Sequence, residues 1–548
     1  METKDLESLL ERVKAAVDAK DYELLERLVE SFVYLSNLIE DKETTIGRLR
    51  KILFGPQSEK TEEVLKGKGA EGKDEEKPSV PESAGGADGV PEKDAEGEKK
   101  EKPPGHGRKA AKDYEGAEKV SLRHEKLKSG DACPAAKCAG RVYRQGEPGV
   151  IVRLVGQAPV AAKIWELEKL RCSLCGEVYT AKAPEGVGEE KYDASSASMI
   201  GLLKYGSGLP FHRLEKLEGS LGIPLPAATQ WEIVEESAKT IAPVYEELMR
   251  EAAQGDVLHN DDTPMRILEH MGKRREKREA RGSVNGDEKP KVRAVFTTGI
   301  VSMHKGHEIV LFFTGQKHAG ENLEEVLRRR ASELGPPIQM SDGLARNQRG
   351  AFETIVANCL AHSRRKYVDV AESFPKECRH VLEILRVVYR NDAVAKERGM
   401  TAEERLDWHQ AESRPLMEGL KSWLTAEIAE KKVEPNSGLG EAMGYMLKRW
   451  ERLTLFLRVP RAPLDNNIVE RSLKKAILHR KNALFYKTDN GARVGDIFMS
   501  LIHTAELSGA NPFDYLTALQ KNAERVRACP GAWLPWNYES ALVAHNTS

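Results

Sequence analysis

The sequence predicts a multidomain α+β protein: an N-terminal coiled coil, a zinc ribbon, a helical region, and an α/β sheet domain interrupted by an all-helical insertion. Three observations predict it. A heptad run lies near the N-terminus, two cysteine pairs flank a strand-like stretch, and between 255 and 345 four β-rich segments include two that end on aspartate. At 548 residues and 40% hydrophobic composition the chain holds several cores rather than one. Lys plus Arg (85) balance Asp plus Glu (86), so the net charge of -1 carries no sign of a polyanionic partner and any basic surface must be local. The opening METKDLESLL lacks a basic-then-apolar leader, and no apolar run reaches the ~18 to 20 residues of a membrane span. A soluble, cytoplasmic protein with no membrane partner is expected.

Residues 1–60 carry the heptad. Leu25, Phe32, Ile39, Ile46 and Leu53 fall seven apart, with Leu28, Leu35 and Leu49 three residues after their partners, the seam of a multimerising coiled coil. Lys42 interrupts the second row, and an amphipathic helix packed on its own chain is the alternative. Residues 61–112 turn to Glu, Lys, Gly and Pro, too few apolar side chains to offset ordering, and form a charged disordered linker ending in the basic PPGHGRKAAK.

Over 113–185, CPAAKC (Cys133, Cys138) and CSLCG (Cys172, Cys175) bracket 33 residues with strand-like alternation. Two thiolate pairs on tight turns suit tetrahedral Zn²⁺, although four residues separate the first pair where two are commoner; reduced structural cysteines are the alternative. Over 186–252 the pattern is helical. FHRLEKLEGSLGIPLPAATQWEIVEESA reads as a helix, a turn at Gly219 to Gly222 and a second helix opening near Pro226, either a DNA-binding helix-turn-helix or a plain helical hairpin.

The catalytic-type sheet is read in two parts, 253–363 and 461–525, around a helical insertion over 364–460 and before a C-terminal tail over 526–548. GDVLHNDDTP, KVRAVFTTGIVSM and HEIVLFFTG are strands, AGENLEEVLRRRASEL is a helix, and PPIQMSDG is a fourth strand. AFETIVANCLAHS supplies a helix and a fifth strand. This order is that of a ribonuclease-H-like sheet, with Asp261 on the first strand and Asp342 after the fourth on neighbouring strands. The helix in PLDNNIVERSLKKAILHRKNALF returns to the sheet through Val469, Leu473, Ala476 and Ile477, and Glu470 at the edge of that stripe leans toward the two aspartates.

Carboxylates ~4 Å apart repel by about 4 kcal/mol at an effective dielectric of about 20, so three together call for cations. Two Mg²⁺ (or Mn²⁺) ions held by Asp261, Asp342 and Glu470 answer that and suit an in-line displacement at phosphorus. Arg471, Lys474, Lys475, Arg480 and Lys481, with Arg364, Arg365 and Lys366 of SRRKY as a second strip, would then hold DNA phosphates. Asp262 adjoins Asp261, and only one of them faces the site from a strand; spacing does not choose between them.

RKILFGPQSEK, the paired cysteines, LLKYGSGLPFHRLE, NDDTP, SDGLARN, CLAHSRRKY and PLDNNIVERSLKKAILHRKNALF, in that order, resemble the transposases of the insertion-sequence-sixty-six group over nearly the whole chain outside the linker. The resemblance implies an Asp-Asp-Glu transposase that binds terminal inverted repeats, cuts element ends and joins their 3′ hydroxyls to target DNA. It assigns catalysis to Asp261, Asp342 and Glu470, and implies a nucleoid-associated, prokaryotic homo-oligomer served by small companion proteins. The family usually has Glu where this chain has Asp262, a departure at the neighbour rather than at the implied catalytic acid. His362 falls in the family's Ala-His-x-Arg-Arg segment, where it orders the site, contacts DNA or simply ends a strand. A zinc-ribbon DNA-binding regulator or domesticated transposase without chemistry is the alternative from another class, and a hydrolytic nuclease is a third reading.

Overall fold

The structure, a computed structural model, describes residues 128–132, 134, 138–141, 143, 158–171, 178–182, 184, 191–271, 294–348 and 352–546. The coiled coil expected over 1–60, the linker over 61–112, and Cys133, Cys172 and Cys175 lie outside the described residues. The chain divides into two units, Glu71–Ala161 and a larger one made of Met1–Ala70 and Ala162–Ser548. In the smaller unit, Ala132 and Arg141 form an isolated antiparallel bridge on either side of the first cysteine pair. In the larger, β1 (Lys169–Arg171) and β2 (Val178–Thr180) pair antiparallel around the second.

Asp193 caps α1 (Ala194–Gly201) by accepting from Ser195 N at 2.8 Å. α2 (Phe211–Ser220) ends before a turn in which Gly222 has φ +80°, and α3 (Ala227–Ala253) opens directly after Pro226. The turn expected at Gly219 to Gly222 stands at Gly222, while Gly219 lies within α2. The second helix runs 27 residues. Val234, Ala238, Ile241, Tyr245, Leu248 and Ala252, three and four apart, are buried, and α3 packs against the main sheet.

That sheet has five strands: β3 (Val257–Met265), β4 (Val295–His304), β5 (His307–Gly315), β6 (Ile338–Ser341) and β7 (Ile355–Asn358). Their spatial order is β5-β4-β3-β6-β7, antiparallel from β5 to β3 and parallel from β3 to β7. Lys305 and Gly306, both at positive φ, make the two-residue turn that joins β4 to β5. α4 (Ala319–Leu327) carries the chain from β5 across β4 and β3 to β6. In AFETIVANCLAHS the strand comes first, and the helix starts only at Leu360.

Six helices then follow: α5 (Leu360–Val370), α6 (Pro375–Glu397), α7 (Ala402–Glu412), α8 (Arg414–Ala429), α9 (Gly438–Lys448) and α10 (Trp450–Leu453). Leu382, Leu385, Met417, Leu420 and Met443 share one apolar core with Ile338 and Met340 of β6 and Ala357 of β7. The insertion is thus anchored on the parallel half of the sheet. α11 (Asn467–Ala483) returns to cross β3 and β4.

α12 (Asp489–Leu507) covers the other edge. Successive turns of the helix bond alternate residues of β5. Asp496 accepts from Thr314 N at 2.6 Å, Ser500 from Phe312 N at 2.9 Å, and Thr504 from Val310 N at 3.1 Å. Four helical residues advance ~6 Å and two strand residues ~6.6 Å, so the two ladders stay in step. Edge N–H groups that would pair with another chain are closed off by side chains. Beyond it lie α13 (Pro512–Lys521), α14 (Ala523–Ala528) and α15 (Tyr538–Asn546). The stretch read as a C-terminal tail is packed: Trp533, Leu534 and Tyr538 are buried, and Tyr515 donates to Trp533 O at 2.9 Å. Its aromatic content is the reason.

Ser500→Ala leaves the buried Phe312 N–H without an acceptor. Urea denaturation should show a loss of about 1–3 kcal/mol, while Thr504→Ser, which keeps its hydroxyl, should lose clearly less. Equal losses would contradict the edge-sealing role.

Candidate carboxylate site

Strand register builds the site. β3 and β6 pair in parallel with His259 beside Met340, and the same offset carried two residues on sets Asp261 beside Asp342. Across β3, Asp261 is paired with Gly299 of β4, on the same face of the sheet. α11 lies on that face. A Cβ built on Gly299 would stand 3.0 Å from Leu473 and 3.2 Å from Val469, so the glycine lets the helix that carries Glu470 approach the sheet closely, near enough for Glu470 to act on the Asp261 carboxyl. The expected stripe is present: Val469, Leu473 and Ala476 are buried and Ile477 is partly so.

Asp262 points the other way. Its carboxylate is fully buried, accepts from Thr298 Oγ1 at 2.6 Å and from Ala319 N at 3.1 Å, and meets His318 Nδ1 at 3.1 Å. It therefore neutralises the N-terminus of α4, where a negative charge is favoured. The two adjacent acids separate by strand alternation into one open to the carboxylate site and one fixed in the scaffold.

Two asparagines hold the arrangement. Asn347, fully buried, donates from Nδ2 to Asp342 Oδ1 at 2.8 Å and to Asp261 Oδ1 at 3.2 Å. Its own carbonyl is fixed by Asn260 Nδ2 at 2.8 Å and Gln339 Nε2 at 2.7 Å. Asn466 stands at the N-cap position of α11, one turn before Glu470, with its side chain turned to β3 rather than to the helix. Its backbone N–H donates to Cys359 Sγ at 3.2 Å, its Nδ2 to Asn260 O at 3.2 Å, and its Oδ1 meets His259 Nδ1 at 3.0 Å. Burial holds His259 down to about 4, so it is neutral and donates from Nδ1. Asp342 sits on a turn that needs Gly343 at φ +83°, and Tyr445 of the insertion donates to Asp342 O at 3.0 Å.

Burial pushes the Asp261 carboxyl up to about 7, and repulsion from Asp342, Asp262 and Glu470 adds to it, against a lowering hydrogen bond from Asp262 N. Glu470 Oε1 is shielded from solvent and has no hydrogen-bond partner. Asp261 and Asp342 thus meet on one amide, and Glu470 adds a shielded oxygen without a partner; oxygen donors of this kind suit a divalent cation. Cys359, His362 and Glu470 also converge, with one ligand atom from each within 4.8 Å of the others. Burial pushes the Cys359 thiol up to about 12, which keeps it protonated.

The basic residues divide. Arg471, Lys474 and Lys481 are exposed on α11, and Lys366 is exposed on α5 with its ammonium 4.7 Å from the centre of the Tyr445 ring. Arg364 and Arg365 are half-buried. Two side chains expected on phosphate are engaged within the protein instead. Lys475 pairs with Glu506 of α12 at 2.9 Å, and Arg480 donates to Thr263 Oγ1 at 3.0 Å and to Pro264 O, clamping α11 to the end of β3. Neither partner could be identified from the local pattern, because each is brought in by helix packing. Of the four expected zinc ligands only Cys138, which is exposed, lies among the described residues. A separate cavity of about 1070 Å³, lined by Trp231, Phe485 and Tyr486, opens at the far end of α11.

The structural roles of Asn347, Asn466 and His259 were not read from the sequence. For Asn466 the sequence signals only its place, since an asparagine one residue before a helix with an acid in its first turn is a cap pattern; its side chain makes no cap bond and turns to β3 instead. Asn347 and His259 carry no comparable local signal.

The family model described as Transposase IS66 family, the insertion-sequence-sixty-six group, matches residues 191–494. The chain is 25% identical over 435 residues to the uncharacterized protein y4jD of Sinorhizobium fredii (strain NBRC 101917 / NGR234), covering 77% of this chain and 81% of that protein. It is 26% identical over 441 residues to y4hP of the same organism, with 74% of each chain covered. A shorter match, 31% over 204 residues, is to y4qI, covering 36% of this chain and 37% of that protein.

Asp261 sets a pH dependence. Its folded value of about 7 exceeds its ordinary 3.8, so without cations the folded state binds this proton more tightly than the unfolded chain. Stability is lost as pH rises between those values and stays reduced above. In EDTA, Asp261→Asn should melt above wild type at about pH 8 and lose that advantage toward about pH 4; a gain independent of pH would contradict it. At Gly299, overpacking by Gly299→Val should cost about 1–3 kcal/mol in thermal denaturation, with Gly299→Ala clearly milder. Unchanged melting of the valine variant would refute the close approach of α11.

Proposed function

The chain belongs to the IS66 family of transposases, and from that premise we propose that it is the Asp-Asp-Glu transposase of an insertion sequence. Membership implies a DNA partner and an enzyme that cleaves and joins DNA. The finer reading is that it binds terminal inverted repeats and catalyses metal-dependent cleavage and strand transfer. The observation that carries it is the meeting of Asp261 and Asp342 on one Asn347 amide, with Glu470 close enough to raise the Asp261 carboxyl. The strand order β5-β4-β3-β6-β7 supports a ribonuclease-H-like catalytic domain split by the helical insertion.

In this reading Asp261, Asp342 and Glu470 hold two Mg²⁺ or Mn²⁺ ions. When bound, such ions supply activation of the attacking oxygen and stabilisation of the leaving oxygen at phosphorus. The protein's part is orientation. Asn347 donates to one oxygen of each aspartate, which fixes both carboxylate planes before substrate arrives. Val469 and Leu473 are buried against Gly299 and seat the helix that carries Glu470. Arg471, Lys474, Lys481 and Lys366, exposed on α11 and α5, are the cations available to DNA phosphates. α2 and α3 are the proposed helix-turn-helix, Cys133, Cys138, Cys172 and Cys175 the proposed Zn²⁺ ligands, and residues 1–60 the proposed multimerisation region. Among the described residues no helix is long and apolar enough to cross a membrane.

The test is 3′-end joining on element-end DNA with Mg²⁺. Asp342→Asn should reduce joining by about 100-fold or more, the scale of losing one preorganised electrostatic contact to a transition state. Undiminished joining by that variant would remove Asp342 from the chemistry, and cut ends that are never joined would indicate a nuclease instead.

A further inference from the structure

His362 has no part in the carboxylate arrangement described above, yet it faces Glu470. α5 and α11 begin side by side: Leu360 N donates to Leu464 O at 3.0 Å, and Asn466 N donates to Cys359 Sγ at 3.2 Å. This double tie fixes the first turns of the two helices relative to one another. Across it, His362 Nδ1 and Glu470 Oε1 stand 3.7 Å apart, too far for a hydrogen bond. Both atoms are shielded from solvent, and neither has a hydrogen-bond partner. A buried polar atom without a partner is unfavourable, and two that face one another can be satisfied together by one cation. A cation bonded to each at about 2.1 Å spans the gap. The third member of the cluster, Cys359, already accepts the Asn466 N–H through its sulfur, which leaves one nitrogen and one oxygen as donors.

We propose that His362 is a ligand, through Nδ1, of the divalent cation held by Glu470, and that this position therefore takes a first-row transition ion in preference to Mg²⁺. Mg²⁺ is hard and takes oxygen ligands, whereas imidazole suits transition ions. The proposal rests on Glu470 being a metal ligand but not on the reaction that follows.

The experiment uses the full-length protein with Mn²⁺ alone and reads nitrogen coordination by pulsed electron paramagnetic resonance. Wild type should show modulation from a directly bound ¹⁴N that shifts when histidine is ¹⁵N-labelled, and His362→Ala should lose it. Mn²⁺ affinity should fall about ten-fold or more in that variant, with Mg²⁺ affinity, read by competition, nearly unchanged. Absence of Mn²⁺ binding or of nitrogen coupling in wild type overturns the proposal, and so does coupling that survives in His362→Ala. The labelling arm needs no variant, so misfolding of His362→Ala leaves the question decidable. Coupling present in a protein that joins no DNA would uphold His362 as a ligand while removing the transposase reading; joining without coupling would do the reverse.

Discussion

Everything at the carboxylate site depends on α11 docking against β3 and β4, and that docking turns on Asn466. The helix reaches the sheet only after the helical insertion over 364–460, so chain connectivity does nothing to aim it. Asn466 does so by bonding at two places: β3, through the backbone of Asn260 and the imidazole of His259, and the Cys359 thiol just after β7. Its amide is fully buried, and losing any partner would leave a polar group unpaired. Glu470 lies one helical turn beyond, so its position follows from the joint.

The second constraint is electrostatic, and it opposes the first. Packing draws acids together that repel in a poorly hydrated place, and the raised Asp261 carboxyl records that conflict. The protein relieves part of it with neutral donors rather than with cations. Asn347 serves Asp261 and Asp342, and among the described residues no lysine or arginine pairs with the carboxylates of Asp261, Asp342 or Glu470. Asp262 shows the contrasting solution one residue away, where a hydroxyl, a helix N-terminus and an imidazole satisfy a buried carboxylate. Neighbouring acids in one strand thus meet opposite fates, one sealed into the scaffold and one left in need of a counter-charge.

Around this centre the two edges of the sheet are closed by different means. On the parallel side the helical insertion shares its apolar core with β6 and β7. On the antiparallel side α12 offers Asp496, Ser500 and Thr504 at four-residue intervals to the alternate N–H groups of β5. The rises of helix and strand match closely enough for three bonds in succession.

Period and composition alone were enough to mark the strands carrying Asp261 and leading to Asp342, the turn at Gly222, and the apolar stripe of α11. These are local properties: alternation, a backbone that needs glycine, and helical spacing each act over a few residues. The tertiary structure alone decided that Gly299 lies under Leu473, that Asn347 joins two aspartates, that Lys475 and Arg480 turn inward, and that His362 faces Glu470. Each of these is a meeting of side chains up to 217 residues apart, set by strand register and helix docking, and sequence spacing along one element carries no record of such a meeting.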